Sequence, residues 1–590
     1  MTDADVDAAT AEVVRNYLTS AADEMQRTLI RTAYNTIIYE ILDFGISLYD
    51  ADLRLIADSP GLSVFLGAND YAIERGVEYL DRAELAPGDV ILLNYPYWSS
   101  EHLLDALLFS PVFHDEALVG FTACRAHWLD LGAKDPGYVL DSTDVHQEGV
   151  IFPCTKVYKS GSPDEEILDI IRFNSRYPEK VMGDLNAQIA ALRTGEDRLQ
   201  AIYDRYGSAV VEACLDRILT HSSQQARTAV AELPDGEWSA VDYADGTDQT
   251  DGQLRLKAAV RIDGTDFEVD FSGSADQVDA PLNVPPGGAE TIAKLCFKSV
   301  TTPDEDSNHG QYSPLSVTAP DGSIFNAEYP AATFLGWTSI LGIDVIYRAL
   351  AKGMPERIPA AGGGDLCSIM LYGTDRAGRQ FVEANNDAVG WGGTDTHDGS
   401  NALMHISETR VRNIPIEVLE NKAPVRIERL ALRQDSGGAG AHRGGLGVRR
   451  DYRAIDEVGA LSIVQKTRTT NWGLKGGQPG DRNVVVLDVD RDATDDRIQI
   501  LVDNDDLHTG PGIHVGLFRG ELAPGEIVSN RTAGGGGYGD PHDRDPEAVL
   551  EDVRDGYVSA AAARDVYGVT IEDGTIDRTE TRSLRSGEGR

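Results

Sequence analysis

The sequence predicts a mixed α/β protein of the α+β class, built from several domains, with helices and strands first and β-rich regions after. Three observations predict it. The 590 residues exceed what one core holds, so two to four domains are expected, and 41% hydrophobic content can fill them. The first quarter switches from a helical hydrophobic period to a two-residue period within a few positions. Beyond about Glu232, glycine and aspartate rise, helical periodicity fades and short alternating runs take over. The expected division is an N-terminal helix-and-strand region 1–235, a Gly-rich middle α+β region 236–430, and a C-terminal β-rich region 431–590 ending in a helix.

Taken in order, Asp3 to about Tyr39 is expected to be one long amphipathic helix, because Val14, Leu18, Ala21, Met25, Leu29 and Ala33 recur on one face. Phe44, Ile46 and Leu48 then alternate with small or polar residues. After the turn Asp50-Ala51-Asp52, Leu53, Leu55 and Ala57 alternate again, which predicts a hairpin. Val90–Asn94 follows the turn residues Pro87-Gly88-Asp89 and is expected to be a buried strand. Leu107–Phe113 and Leu118–His127 are expected to be two strands joined through His114-Asp115-Glu116. Met182–Leu199 and Leu199–Arg227 keep helical spacing through Leu185, Ile189, Leu192, Ile202, Val210, Ala213 and Ile218. Later, Leu254–Phe271 alternates as strands do, and Pro546–Val566 is expected to be helical.

Composition narrows the function. The net charge is −43, and the 53 basic residues comprise 11 Lys and 42 Arg. A strongly acidic, Lys-poor surface stays hydrated where salt screens charge over a few ångströms, as expected of a halophile's protein. No basic stripe is present to neutralise phosphates, so nucleic acid is not an expected partner. The five cysteines stand singly, without a CxxC pair, which excludes a disulfide framework. MTDADVDAAT has neither the basic nor the apolar segment of a signal peptide, and no 18-residue apolar run exists. A soluble, cytoplasmic chain with no membrane partner is expected.

Four residues stand out as metal ligands: Asp43, His102, Asp105 and His127. Two imidazoles and two carboxylates suit a catalytic divalent ion with room left for water or substrate. On a helical turn, the HxxD spacing places His102 and Asp105 on one face. A return strand would bring His127 beside them. Spacing alone leaves the bland alternative open, since an HxxD is commonly a surface or capping pair. Asp395, His397 and Asp398 form another His/Asp cluster, within an acidic loop. Gly437–Gly447 and Ala533–Gly539 contain no GxGxxG or GxxxxGK[ST] phosphate cradle and are expected to be tight turns, although the second tract could also let backbone approach a ligand. Cys124 and Cys154 are expected to be packed thiols, and no G-x-S-x-G elbow is present.

The segments around the four ligands carry a resemblance. They are Arg31-Thr-Ala-Tyr-Asn35, Asp43-Phe44, Leu48-Tyr-Asp-Ala-Asp52, His102-x-x-Asp105 and Arg125-Ala-His127-x-x-Asp130-x-Gly132. Together with Glu148-Gly149, Gly183-Asp-Leu-Asn-Ala-Gln188, Asp270-Phe-Ser-Gly273, Asp435–Gly440, Arg443–Gly447 and Gly534–Pro541, they resemble the hydantoinase B/oxoprolinase family over nearly the whole chain. That family includes B subunits of ATP-dependent hydantoinases and oxoprolinases, a lactam hydrolase, and subunits of acetone and acetophenone carboxylases.

The resemblance implies one divalent transition metal (Mn, Zn or Fe) on Asp43, His102, Asp105 and His127. It implies Asp130, which could orient a ligand imidazole, or Glu148 as the carboxylate assisting proton transfer. It also implies a hydantoinase A/oxoprolinase-type partner subunit that uses ATP to phosphorylate the carbonyl of a cyclic amide, the two forming a hetero-oligomer. The expected reaction is ring opening of a hydantoin, 5-oxoproline or other lactam. The alternatives are a ketone carboxylase subunit or a scaffold without catalysis. Three departures bear on the substrate: Tyr95 in Asn94-Tyr-Pro-Tyr97 stands where many members have Asp, Ser100-Glu101 replaces Gly-Thr, and Leu104 replaces Pro.

Overall fold

The computed structural model describes residues 6–334, 337–375, 377–489 and 497–586. These form an α+β arrangement of helices and several sheets in two compact units. The first unit comprises Met1–Glu237, Lys257–Ile343 and Arg410–Arg412. The second comprises Trp238–Leu256, Asp344–Thr409 and Asn413–Arg590.

The first unit opens with α1 (Ala8–Thr32), whose N-cap Asp7 accepts from the Thr10 N–H at 2.7 Å. The expected start at Asp3 lies outside the described residues. The predicted stripe of Val14, Leu18, Ala21, Met25 and Leu29 is buried. The helix ends at Thr32 rather than near Tyr39. Ala33 is already extended, and Ile37–Ile41 forms a separate π-helical turn closed by Leu42 at φ 67°.

The expected hairpin follows as β1 (Phe44–Asp50) and β2 (Leu55–Asp58). After α2 (Asn69–Leu80) come β3 (Val90–Leu93), a short helical turn α3 (Pro96–Ser99), β4 (Asp105–His114) and β5 (Ala117–His127). With β6 (Thr155–Lys159) and β7 (Ser162–Pro163) they make a seven-stranded antiparallel sheet in the order β2-β1-β5-β4-β3-β6-β7. The central strands β4 and β5 are almost wholly buried, which is why both read as near-continuous apolar runs.

After α4 (Glu165–Asn174), α5 (Pro178–Tyr206) lies against α1, β4 and β5. It gives way to α6 (Ser208–Ala231) at Gly207, whose φ of 76° no β-carbon-bearing residue takes easily. β8 (Gly236–Ala244) then leads out of the first unit. β9 (Leu254–Asp263) and β10 (Asp266–Asp270) are antiparallel, and β11 (Leu315–Thr318) joins β10 in parallel after α7 (Gly288–Thr301).

The chain passes into the second unit along α8 (Thr338–Gly353), at Asp344, and that unit holds two five-stranded sheets. One is built from Ser368–Thr374, Gln380–Asn386, Val458–Ile463, Phe518–Leu522 and Ile498–Ile500. The other uses Val425–Leu432, Val448–Ala454, Ile527–Arg531, Val484–Asp488 and Ile513–Val515. Ile369, Leu371 and Ala460 of the first meet Tyr452, Val485, Leu487 and Val528 of the second in one apolar core. The predicted C-terminal helix is two helices, Pro546–Arg554 and Ala560–Asp565. Gly556 at φ 76° breaks the run, and Ser559 caps the second piece.

The glycine tracts are neither phosphate cradles nor simple turns. Segments 390–393, 437–447, 472–480 and 533–539 lie backbone against backbone. Gly535 N–H donates to the Gly445 carbonyl at 3.0 Å, and Gly438 N–H to that of Gly535 at 2.8 Å. A β-carbon on Gly444 would stand 1.9 Å from the Gly535 carbonyl oxygen, and one on Gly535 2.1 Å from that of Trp391. Close approach of main chains, rather than a turn conformation, demands glycine here. Arg443 pairs with Asp552 at 3.0 Å and is 6% exposed.

Candidate metal centre

The first unit brings the predicted ligands together at one end of its sheet. Asp105 opens β4 and His127 closes β5, and the two are cross-strand partners. His127 Nδ1 is 2.9 Å from Asp105 Oδ1. His102 lies in the turn before β4, where the Asp105 N–H donates to its carbonyl at 3.1 Å. That turn, not a helix, puts the two side chains on one side, with His102 Nε2 3.4 Å from Asp105 Oδ2. His102, Asp105 and His127 are buried and can each offer a ligand atom within 4.8 Å of the others. Asp43 follows the αL residue Leu42. Its carbonyl accepts from the His127 N–H at 3.2 Å and its Oδ2 stands 4.0 Å from His127 Nδ1.

Burial lowers the His102 pKa to about 4 against the opposing pull of Asp105. At His127 burial acts the same way, but the hydrogen bond to Asp105 and the charges of Asp105 and Asp43 outweigh it and raise the pKa. Burial also opposes ionisation of Asp105, and the two imidazoles override it, so its carboxyl is lowered. A neutral imidazole beside an ionised carboxylate is a donor set ready for a divalent cation. Two imidazoles and a carboxylate within one ion's reach, with a second carboxylate alongside, fit the metal that the family resemblance implies for them.

The motif residues around the centre hold it in shape. Asp184 Oδ1 accepts from the N–H groups of Tyr34 and Asn35 at 2.7 and 3.1 Å, and Asn35 Nδ2 in turn donates to the His127 carbonyl at 3.0 Å. Gln188 donates to the carbonyls of Ala106 and Cys124 at 2.9 and 2.8 Å and accepts from Trp128 Nε1 at 2.7 Å. The Gly183–Gln188 motif on α5 thus clamps the ends of β4 and β5. Arg125, fully buried, donates to Asn69 Oδ1 at 2.9 Å and to the Ser99 carbonyl at 2.6 Å, tying β5 to the turn before His102.

Asp130 and Glu148 have no hydrogen bond or ion pair with these ligands among the described residues. Asp130 Oδ1 accepts from Arg176 NH1 and Gly132 N–H at 2.8 and 3.1 Å, and its Oδ2 from the Arg176 N–H at 2.5 Å. Glu148 Oε1 accepts from Ser142 Oγ and the N–H groups of Thr333 and Phe334 at 2.8, 2.9 and 3.0 Å.

Sequence reasoning missed the aromatic walls. The Phe334 ring stacks on His102 (5.3 Å, 24°) and the Tyr138 ring on His127 (5.4 Å, 28°). Single aromatics in loops have no periodicity, so no signal marked them. Of the departing residues, Tyr95 sets its ring against those of Tyr97 and Trp98 at 5.2 and 5.1 Å, and Tyr97 Oη donates to the Ala331 carbonyl at 2.5 Å. Ser100 and Glu101 line a water-sized hollow with His102, Pro285 and Gly288. Elsewhere, Asp398 is held by Arg544 at 2.6 Å and His397 Nδ1 faces Thr396 Oγ1 at 2.9 Å. Among the described residues the other metal-capable trio is Glu572, Asp577 and Glu580, on the surface.

A profile of the hydantoinase B/oxoprolinase family matches residues 7–541. The chain belongs to this family. A putative D-/L-hydantoinase B subunit from a Pseudomonas species is 32% identical, covering 98% of this chain and 98% of its own. The caprolactamase beta subunit of Pseudomonas jessenii is 31% identical, covering 98% and 99%. The crystal structure of the ATP-dependent caprolactamase from that organism matches with a TM-score of 0.89 at 28% identity, over 99% of this chain and 100% of that one. An acetone carboxylase structure shares the fold (TM-score 0.88, 19% identity, 98% and 83% coverage). In this hydantoinase B/oxoprolinase chain, no described helix is long and apolar enough to cross a membrane.

Proposed function

We propose that this chain is the metal-bearing B component of an ATP-dependent cyclic-amide hydrolase, acting with an ATP-binding A-type subunit. The observation that carries the reading is the buried His102–Asp105–His127 set with Asp43 beside it, in a chain whose relatives are named as a hydantoinase B subunit and a caprolactamase beta subunit. The chain has no phosphate-binding loop of its own, so phosphorylation of the ring carbonyl falls to the partner.

His102, His127, Asp105 and Asp43 would hold a divalent ion (Mn, Zn or Fe), which when bound supplies Lewis-acid polarisation and a lowered pKa for water. Phe334 and Tyr138 wall the imidazoles and exclude bulk water, which strengthens the charge interactions at the ring-opening position. Arg125 adds buried positive charge behind Asp105. Asp130 and Glu148 act as positioning residues, holding the loops that bear the walls. Water adds to the phosphorylated ring carbon, the C–N bond breaks as the nitrogen takes up a proton and leaves as the amine, and a second water releases phosphate from the resulting acyl phosphate to leave the free carboxylate.

The test combines elemental analysis with activity. The purified chain should carry about one transition-metal ion, absent from the His102→Ala/Asp105→Ala double variant. With its partner and ATP it should open a hydantoin, 5-oxoproline or caprolactam ring, and the variant should not. Equal metal content in both proteins would overturn the centre. Consumption of bicarbonate with a ketone, in place of ring opening, would overturn the hydrolase reading.

A further inference from the structure

The second unit contains a buried acidic pocket whose hydrogen bonding does not close. Asn471 is fully buried, and both hydrogens of its amide are used: Nδ2 donates to the carbonyls of Gly534 and Asp481 at 3.0 and 3.4 Å. This fixes the amide's orientation, so Oδ1 points the other way. There it has no donor, and neither has Asp344 Oδ2, itself on a 5% exposed residue of α8. Both oxygens converge on Gly364. A β-carbon on that residue would stand 3.0 Å from Asn471 Oδ1 and 3.0 Å from Asp344 Oδ2. Two acceptors without donors thus flank the same side of Gly364, beside Lys466 Cγ, which stands 3.0 Å from that β-carbon position as well, and unsatisfied buried oxygens are costly.

Two further buried acids lie close by. Asp365 Oδ1 and Glu408 Oε2, on residues 1% and 2% exposed, have no hydrogen-bond donor either. His405 Nε2 faces Asp344 Oδ1 at 3.5 Å, while its Nδ1 lies 2.9 Å from Ser407 Oγ and 3.3 Å from the Ser407 N–H. The lysine at this point, Lys466, turns its ammonium to Asp242 at 2.5 Å. Arg450 faces Asp387 at 3.2 Å. Burial pushes the Asp365 carboxyl up to about 7 and that of Glu408 up to about 8.

We propose that this pocket is a second cation site, distinct from the His102 centre, in which Asp344 and Asn471 bind a hard, oxygen-seeking cation of the alkali or alkaline-earth type. Asp365 and Glu408, which burial holds toward the protonated form, ionise as the cation binds. These carboxylates do not gather within a single transition ion's reach as His102, Asp105 and His127 do. The oxygen-only donors suit a larger ion that completes a flexible shell with water and carbonyl groups. Such a site does not depend on the proposed hydrolase activity.

The experiment uses the full chain carrying His102→Ala and His127→Ala, which removes the first centre. Its thermal midpoint is followed against CaCl2, MgCl2 and KCl in turn, at ionic strength held constant with tetramethylammonium chloride. At least one cation should raise the midpoint saturably, with half-saturation shifted tenfold or more by Asp344→Asn. Glu408→Gln serves as a second probe should the first variant not fold, with the same shift expected. The proposal is overturned if none of the three cations gives a saturable rise, or if the rise is unchanged in whichever of the two variants folds.

Discussion

The carboxylate of Glu148 receives the backbone N–H of Phe334 at 3.0 Å, and the ring of that same Phe334 lies stacked on His102. A fully buried acid thereby positions one wall of the proposed metal centre without a hydrogen bond to His102, Asp105 or His127. Glu148→Ala removes the acceptor from Ser142, Thr333 and Phe334 together. Losing such supporting contacts behind a metal site typically costs about 10–100-fold in metal affinity or activity. Metal titration of Glu148→Ala should show weakening of that order, with the centre retained at saturating metal. Affinity equal to that of the parent chain would mean the wall does not depend on this acid.

The same residue predicts a pH effect. Burial pushes the Glu148 carboxyl up to about 7 from an ordinary 4.5, against the hydrogen bonds that favour its ionised form. Its folded pKa exceeds its unfolded one, so the stability it contributes is fully present below 4.5 and is lost as pH rises through 7. Glu148→Gln removes that titration. The thermal midpoint difference between the two proteins should therefore change between pH 5 and pH 8, with the glutamine variant gaining relative to its parent. A constant difference across that range would remove the assignment.

Gln188 gives a sharper case for stability. Its amide satisfies two strand carbonyls and the Trp128 indole, all buried. Gln188→Leu keeps approximate volume and leaves three groups unpaired, each costing about 1–3 kcal/mol. A fall of several degrees in the midpoint is expected, with reduced metal content because the ends of β4 and β5 carry Asp105 and His127. Retained stability with lost metal would instead point to a direct role for the glutamine.

How much of this was legible in the sequence differs by element. The strands ending at His127 and beginning near Asp105 were readable, because turn residues 114–116 separate two apolar runs that a buried antiparallel pair requires. The grouping of His102, Asp105 and His127 was legible only through the surrounding segments. His102-x-x-Asp105 suggested a helical turn, whereas the pair lies on the tight turn that opens β4. The helix beginning near Asp3 was expected to run to Tyr39, but an extended Ala33 and a π-helical turn end it sooner, since local periodicity does not report tertiary demands on Asn35 and Asp43. Phe334 was beyond reach, since it contacts His102 from 232 residues away in the chain. The glycine tracts were seen but misjudged, because composition cannot show that the backbone they approach belongs to other glycine segments.

The cysteines make a further prediction. All five are buried and none is in a disulfide. Burial pushes the Cys154 thiol up to about 12, and the Cys124 thiol further. Thiolate is the reactive form, so neither serves as a nucleophile near neutral pH. A disulfide-exchanging thiol reagent at pH 8 should label the native chain far more slowly than the chain in denaturant, and ring opening should persist after treatment. Rapid stoichiometric labelling with loss of activity would require a thiol in the reaction.

The glycine-on-glycine contacts of the second unit give the most severe expected outcome. At Gly535 an added methyl would overlap the Trp391 carbonyl, and backbone cannot rotate away as a side chain can. Gly535→Ala should therefore cost on the order of 4 kcal/mol or more, among the largest effects a single methyl produces. Gly161 is the control: its φ is 82° but nothing lies within 4 Å of a β-carbon there, so Gly161→Ala should cost only about 1–2 kcal/mol from conformation alone. Denaturant melts of the two variants measure the difference. Near-equal midpoints would mean that the tracts yield easily. A large gap, with the first unit's metal still bound in partly unfolded Gly535→Ala, would show that the two units lose structure separately.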